Sequence, residues 1–311
     1  MRTGGIKISG DKPVPVCFKQ GKDMDKKAKD RTGYHSGSKG AIHIVGIGPG
    51  GLEHLTFKAR KTLEGCDVIV GYKTYVDLVK NLIRGKEVFS TGMTQEVDRC
   101  QKAIELAAQG KKVAVVSSGD AGIYGMAGLI YELMFNRHTN EEGEKRGKGE
   151  TEKKISGSPV HRFSDSFIIE VIPGVPAFCA AASLLGAPLM HDFASISLSD
   201  LLTPWETIKR RLKLAAEGDF VIILYNPKSK ARTFQLEEAI DMISSSRGAH
   251  TPVGIVKNGT REGEDIKIAT LKELPVHYDF IDMSTILIIG NSTTFVSNNK
   301  MITPRGYNVR I

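Results

Sequence analysis

The feature that most constrains the fold of this chain is a junction that recurs along it, in which a short apolar strand runs into a glycine-rich turn and then into a helix. The first junction joins the apolar run 42–46 to residues 46–51 (GIGPGG), with apolar residues at helical spacing through residue 63. A second lies at residues 117–125 (SSGDAGIYG) and a third at residues 172–178 (IPGVPAF). Strands that alternate with helices predict a parallel sheet with helices on both faces.

The pattern divides the chain into two α/β domains. In the first, residues 41–187, we predict strands at 42–46, 67–70, 112–117 and 167–172, and helices at 52–63, 96–109, 122–135 and 177–185. A hinge at residues 187–189 (APL) leads to the second domain, residues 188–311. There we predict strands at 194–198, 220–225, 253–257, 266–269 and 285–289, and helices at 205–217 and 231–244. More strands than helices indicate a mixed sheet.

Two segments differ from these domains in composition. The formal charge of the chain is +8, but ten basic and four acidic residues fall in residues 1–40, so the remainder is nearly balanced. That basic segment has low hydrophobicity and predicts a disordered extension, although it also leaves open a basic RNA-binding protein that uses this tail. Residues 137–165 are rich in Glu, Lys and Gly and predict a solvated insertion.

Several classes of protein are poorly supported. Apolar runs are too short for a membrane-spanning helix, and residues 1–40 lack the apolar region of a secretory signal. The four cysteines are scattered and form no C-x-x-C pair, so neither a zinc ribbon nor a disulfide framework is indicated. We therefore expect a cytoplasmic protein with no metal site of its own, no membrane partner and no nucleic-acid partner.

The first glycine turn formally matches the dinucleotide motif G-x-G-x-x-G, so a nicotinamide-dependent oxidoreductase is one hypothesis. That motif requires an acidic residue at the end of the second strand, about 20 residues further on. Here that strand ends in Val70-Gly71-Tyr72, and Asp67 lies at its start. Two other interpretations stay open: a turn that lets the helix pack on the strand, or a backbone that another small molecule approaches closely.

The other turns carry polar groups where open α/β sheets bind ligands, at the carboxyl ends of strands. Asp120 either caps the following helix or helps to hold a polar ligand group. Asn226 and Asn258 follow two strands of the second domain, and each offers one acceptor and two donors. Such groups fit an adenine or amide edge.

Together these turns resemble the tetrapyrrole methylases, the S-adenosylmethionine-dependent methyltransferases that modify macrocycles in cobalamin and sirohaem synthesis. The matching pieces run in order along most of the chain: residues 48–50 with 55–56, 118–120, 172–175 with 185–189, and 258–260. Residues 224–232 (LYNPKSKAR), 290–292 (GNS) and 301–307 (MITPRGY) look like the branch that methylates carbon 17 of precorrin-3B or cobalt-factor III during ring contraction. Another methyltransferase of the same pathway is the alternative.

The resemblance implies a tetrapyrrole methylase fold, a cleft between the domains, S-adenosylmethionine as cofactor, a tetrapyrrole substrate and a homodimer. The residues at positions matching the cofactor site are Pro49, Ser118, Gly119, Asp120, Ile123, Pro176, Ala177, Asn226 and Gly259. Many relatives have Ser or Thr where this chain has Pro176, so a hydroxyl contact to the cofactor is absent here.

Ring contraction requires proton transfer, and the substrate carries carboxylates. Candidate acid–base residues near strand ends are His191, Asp192, Ser197, Asp200 and Tyr225. Candidate basic partners for the carboxylates are Lys73, Lys228, Lys230, Arg232 and Arg261. For each acid–base candidate a structural role is the more common alternative, and for each basic candidate the more common alternative is a solvated face.

Overall fold

The computed structural model describes residues 39–92, 94–135 and 167–308, which fall within one compact unit, Lys39–Ile311. The predicted basic extension, apart from its last two residues, and the predicted insertion at 137–165 lie outside the described residues. Within those ranges, no helix has the length and apolar character needed to cross a membrane.

The first part of the chain forms a five-stranded parallel sheet with the strand order β3-β2-β4-β1-β5. Its elements are β1 (Gly40–Gly46), α1 (Phe57–Gly65), β2 (Val68–Tyr72), α2 (Lys73–Leu78), β3 (Glu87–Thr91), α3 (Glu96–Ala108), β4 (Lys112–Ser117), α4 (Ala127–Phe135) and β5 (Phe167–Ile172). Buried side chains of α1 and α2 pack on one face of the sheet, and those of α3 and α4 pack on the other.

The second part forms a mixed five-stranded sheet with the order β10-β9-β11-β8-β7, in which the β7–β8 pair is parallel and the other pairs are antiparallel. Its elements are α5 (Ala177–Leu185), β6 (Gly186–Ala187), β7 (Phe193–Ser197), α6 (Trp205–Glu217), β8 (Val221–Tyr225), α7 (Phe234–Ser244), β9 (Pro252–Lys257), β10 (Asp265–Thr270), β11 (Thr285–Ile289), β12 (Phe295–Ser297) and β13 (Lys300–Ile302). The predicted fold class, with a parallel first sheet and a mixed second sheet, is confirmed.

Helix α5 connects the two sheets. The sequence assigned it to the first domain, but its buried face, which includes Phe178, Ala181 and Leu185, packs against strands of the second sheet. Helices α6 and α7 cover the opposite face of that sheet. The short strand β6 pairs with β13 near the end of the chain. The second sheet is therefore sandwiched between α5 on one side and α6 and α7 on the other.

The elements differ from the sequence predictions mainly at their starts. The helix predicted from residue 52 begins at Phe57, where the Thr56 hydroxyl accepts a hydrogen bond from Ala59 N at 3.1 Å and caps the helix. The helix predicted at 122–135 begins only at Ala127, because residues 118–126 form a loop. Strand β3 and the six-residue helix α2 were not predicted, because one is mostly exposed and the other is too short to show a period.

Candidate functional site

Three loops meet at the carboxyl edge of the first sheet, after β1, β4 and β5. The loops after β1 and β4 pair through their backbones: Gly48 N donates to Gly119 O at 3.0 Å, and Gly119 N donates to Gly48 O at 2.7 Å. Both glycines have positive φ angles, +76° and +65°, which other residues adopt only with strain. The two turns therefore present their backbones, rather than side chains, at this edge.

The third loop packs equally closely. A Cβ atom on Gly174 would lie 2.2 Å from Gly119 O, and one on Gly46 would lie 2.7 Å from Gly174 N. Side chains at these positions would collide with backbone, which cannot rotate away. The glycines of the three junctions thus have two effects: they allow the backbone conformation of each turn, and they let the loops pack closely against one another.

Asp120 links two of these loops through both of its carboxylate oxygens. Oδ1 accepts from Gly122 N at 2.8 Å within its own loop, and Oδ2 accepts from Gly174 N at 3.0 Å in the turn after β5. Helix α4 begins seven residues after Asp120. The carboxylate therefore shapes the loop and does not cap that helix.

The second sheet contributes two further turns, after β8 and β9. Asn226, Asn258 and Thr260 have positive φ angles of 50°, 50° and 62°. Asparagine tolerates this region better than other residues with side chains, whereas β-branched threonine is strained there. The Asn226 amide donates to Ser197 Oγ at 2.9 Å, which fixes its orientation beside the end of β7.

Tyr225, at the end of β8, is hydrogen-bonded to the start of α5. Its hydroxyl oxygen accepts from Phe178 N at 3.2 Å, and its ring lies 5.0 Å from that of Tyr124. Burial raises the pKa of Tyr225 to about 12. The phenol is therefore protonated at neutral pH, and it can donate its proton but cannot act as a base.

The turn after β9 touches the first sheet's loops directly. Gly51 N donates to Thr260 O at 3.1 Å. The guanidinium of Arg261 donates from Nε to Pro49 O and from Nη2 to Ser118 Oγ, the latter at 2.6 Å. Burial lowers the pKa of Arg261, and the nearby Tyr75 opposes that shift. The two halves of the described chain are thus joined at this point.

These loops surround a cleft of about 180 Å³ that is open to solvent. Eight of the nine residues predicted to bind the cofactor line it: Pro49, Ser118, Gly119, Asp120, Ile123, Ala177, Asn226 and Gly259. The ninth, Pro176, does not line the cleft but lies next to Gly119: a Cβ added to that glycine would be 3.7 Å from the Pro176 Cα. The structure places these residues around one cleft, and their role in binding stays a prediction.

The acid–base candidates separate into two groups. Tyr225 lines the cleft. Ser197 does not line it, but its hydroxyl accepts a hydrogen bond from Asn226, which does. His191 and Asp192 instead line a second depression, together with Asp219, Asn291 and Arg305. They precede β7, which is parallel to β8, so they lie at the opposite edge of the sheet from Tyr225. The structure therefore does not bring them to the cleft, because they lie before a strand and not after one.

Of the basic candidates, Arg261 lines the cleft. Arg232 is buried, and its guanidinium donates a hydrogen bond to Met283 Sδ at 3.4 Å. The remaining acid–base candidate, Asp200, lies 4.0 Å from Arg232, and its carboxylate accepts a hydrogen bond from the Gln235 amide. Lys228 donates to Tyr278 O at 2.8 Å. Lys73 and Lys230 are exposed. Arg232 and Lys228 are thus held by protein groups, and none of these four lines the cleft.

Sequence reasoning missed several cleft residues. Tyr75, Tyr124, Asn258, Met283 and Ser284 also line it. Asn258 was noted as a strand-end amide but was not assigned to the site. Tyr75 and Met283 follow no recognisable motif and reach the cleft only through the fold. No group of His, Cys, Asp or Glu that could hold a metal ion occurs in the ranges that the structure describes.

Comparison with known proteins identifies the family. The model of the tetrapyrrole (corrin/porphyrin) methylases matches residues 41–141 and 159–275. The chain belongs to this family. The probable cobalt-factor III C(17)-methyltransferase of Salmonella typhimurium is 46% identical over 266 residues, which are 86% of this chain and 99% of that protein. The family predicted from the sequence is thus confirmed.

Two further similarities agree with this assignment. The crystal structure of the methyltransferase CobJ superposes with a TM-score of 0.73 at 31% identity, and the match covers 85% of this chain and all of CobJ. The cobalt-factor III methyltransferase of Priestia megaterium is 47% identical over 269 residues, 86% of this chain. This chain spans only 45% of the length of that relative. The likeness thus covers one part of the Priestia protein.

Proposed function

We propose that this tetrapyrrole methylase transfers a methyl group from S-adenosylmethionine to carbon 17 of a precorrin-3B or cobalt-factor III type macrocycle in cobalamin biosynthesis, coupled to ring contraction. The observation that carries the proposal is the convergence of eight predicted cofactor residues on one cleft between two sheets. The names of the Salmonella and Priestia relatives support the choice of substrate. The family match argues against the nicotinamide hypothesis.

The cleft fits a ligand that is part polar and part apolar. The side chains of Ser118 and Asn226 offer hydrogen bonds, while Ile123, Ala177 and Val256 offer apolar contact. A Cβ on Gly259 would lie 3.0 Å from Val256 Cγ1, so a side chain at this position would crowd the apolar lining of the cleft. Such a lining suits a nucleoside joined to an amino acid.

When bound, S-adenosylmethionine supplies a methyl group activated by a sulfonium centre. The protein's task is to hold donor and acceptor in line and to exclude water, and such positioning can lower a barrier by about 7–11 kcal/mol. The rigid loop backbones of the cleft provide this alignment without a nucleophilic side chain. Tyr225 keeps its hydroxyl proton at neutral pH, so we assign it a donor role.

Isotope transfer tests the proposal directly. The protein is incubated with precorrin-3B or cobalt-factor III and with methyl-¹³C S-adenosylmethionine, and the label is located by NMR. We expect the label on carbon 17. Label on another ring carbon would indicate a different methyltransferase of the pathway, and thermal stabilisation by NADH but not by S-adenosylhomocysteine would revive the oxidoreductase hypothesis.

Two finer assignments belong to the same proposal. The sequence resemblance supports a homodimer, and the scattered cysteines support a cytoplasmic location. Analytical ultracentrifugation of the full chain tests the first: we expect twice the mass of one chain, and a single-chain mass would contradict the dimer.

A further inference from the structure

The cofactor cleft is spanned by one cationic side chain. Arg261 follows β9 of the second sheet, yet its guanidinium donates to Pro49 O in the turn after β1 and to Ser118 Oγ in the loop after β4. These partners are 212 and 143 residues away along the chain. Both belong to the set matched to the cofactor site. A carboxylate-binding role, as the sequence suggested, would leave these contacts unexplained.

We propose that Arg261 is a positioning residue for the cofactor: it fixes the turn after β9 to the two glycine loops of the first sheet, so that both halves of the cleft are in place before the cofactor binds. This inference rests on the proposed function. The planar guanidinium suits the task, because its rigid fork of donors can satisfy two acceptors at once, whereas a lysine ammonium is a single flexible point charge.

The surroundings of Arg261 are built to hold it in this position. Gly51 N donates to Thr260 O at 3.1 Å, and a Cβ on Gly50 would lie 2.4 Å from that same oxygen. Within its own turn, Thr260 N donates to Glu264 Oε2 at 2.7 Å. The strained positive φ of Thr260, 62°, is thus maintained by contacts on both sides.

The hydrogen bond from Arg261 also determines whether the Ser118 hydroxyl donates to or accepts from a ligand in the cleft. A guanidinium only donates, so Ser118 Oγ is the acceptor of the 2.6 Å bond. The hydroxyl proton of Ser118 then remains available to an acceptor in the cleft. Arg261 therefore sets the polarity of a residue that lines the site, in addition to holding the loop that carries it.

The test compares Arg261→Ala, Arg261→Lys and a matched control, Arg211→Ala, on the exposed face of α6. Calorimetry gives the Kd for S-adenosylhomocysteine, and thermal unfolding gives stability. We expect Kd to rise at least tenfold in Arg261→Ala and in Arg261→Lys, with the control unchanged. Added ethylguanidinium should restore binding to Arg261→Ala, whereas ethylammonium should not.

Three results would overturn the proposal. The first is a Kd for S-adenosylhomocysteine in Arg261→Ala that lies within twofold of the wild-type value. The second is a wild-type Kd in Arg261→Lys. The third is a raised KM for the tetrapyrrole in the Arg261 variants while their Kd for S-adenosylhomocysteine is unchanged. This third result would instead support the role in binding substrate carboxylates that the sequence analysis suggested for Arg261. If Arg261→Ala does not fold, Ser118→Ala measured alone and in the Arg261→Lys background decides: non-additive losses support the proposal, and additive losses contradict it.

These readouts are separate from the test of the proposed function. A wild-type protein that binds S-adenosylhomocysteine but does not label carbon 17 would contradict the choice of substrate and leave the role of Arg261 open to the same measurements. A wild-type protein that does not bind S-adenosylhomocysteine would contradict both.

Discussion

Asp120 accepts a hydrogen bond from Gly174 N at 3.0 Å, which ties the loop after β4 to the turn after β5. Its second oxygen accepts from Gly122 N at 2.8 Å. One carboxylate therefore stabilises two of the three loops that meet at the carboxyl edge of the first sheet, and these two bonds are charge-assisted, worth about 1.5–3 kcal/mol each.

We expect Asp120→Ala to weaken binding of S-adenosylhomocysteine about tenfold or more, because both loops lose an anchor at the cleft. Calorimetry measures the affinity. The control is Asp67→Ala, which removes a comparable bond to Lys112 N, 2.8 Å long, at the amino edge of the first sheet. It should lower stability but leave affinity unchanged. Equal affinity in the wild type and Asp120→Ala would make Asp120 a purely structural residue.

Gly174→Ala tests the packing of the loops. The added Cβ would meet Gly119 O at 2.2 Å, so the loops must move apart, and we expect a loss of about 1–3 kcal/mol in the free energy of unfolding together with weaker cofactor binding. Gly128→Ala in helix α4 is the matched control. Its Cβ meets no atom within 4 Å, and we expect it to stabilise the protein by about 0.5–1 kcal/mol. Denaturant unfolding measures both, and a fully stable Gly174→Ala would refute the close-packing argument.

Arg247 gives a destabilising change remote from the cleft. This buried side chain forms an ion pair with Asp219 and donates to Phe220 O at 2.8 Å. We expect Arg247→Ala to lower the free energy of unfolding by about 1.5–3 kcal/mol, because the buried guanidinium's charge-assisted hydrogen bond to Phe220 O is lost, whereas Asp219 is partly exposed and keeps its bonds to Ser292. At a temperature where the variant is folded, its affinity for S-adenosylhomocysteine should match the wild type. Arg60→Ala, which removes an exposed pair with Glu64, should cost less than about 1 kcal/mol.

The pKa of Tyr225 predicts a loss of stability in alkali. Burial raises this pKa from 10.0 to about 12, so the folded protein holds the proton more tightly than the unfolded chain does. The resulting stabilisation is complete below pH 10 and disappears as the pH rises from 10 through 12. Tyr225→Phe cannot titrate, so its stability should fall less steeply over this range. Denaturant unfolding at pH 8, 10 and 11 measures the difference, and parallel losses in the two proteins would contradict it.

Much of the fold could be predicted from the sequence because its signals are local. Apolar runs that end in glycine turns identified β1, β4 and β5 in the first half of the chain, and helical spacing identified α3 and α6. The starts of α1 and α4 were less well predicted, because glycine and proline around them allow either a loop or a first helical turn.

The assembly of the site depended on contacts that no local pattern encodes. His191 and Asp192 lie beside a strand, as predicted, but the direction of that strand places them away from the cleft. Tyr75 and Met283 reach the cleft through sheet order and not through a motif.

By itself the sequence determined the strand–turn–helix junctions and the residues that belong to them, since backbone conformation and apolar periodicity act over a few neighbouring residues. Only the tertiary structure decided that α5 packs on the second sheet, and that Arg261 reaches Pro49 and Ser118. The contacts of Arg261 join residues 212 and 143 positions apart along the chain. They exist because strand order and register bring three loops of one sheet against a turn of another.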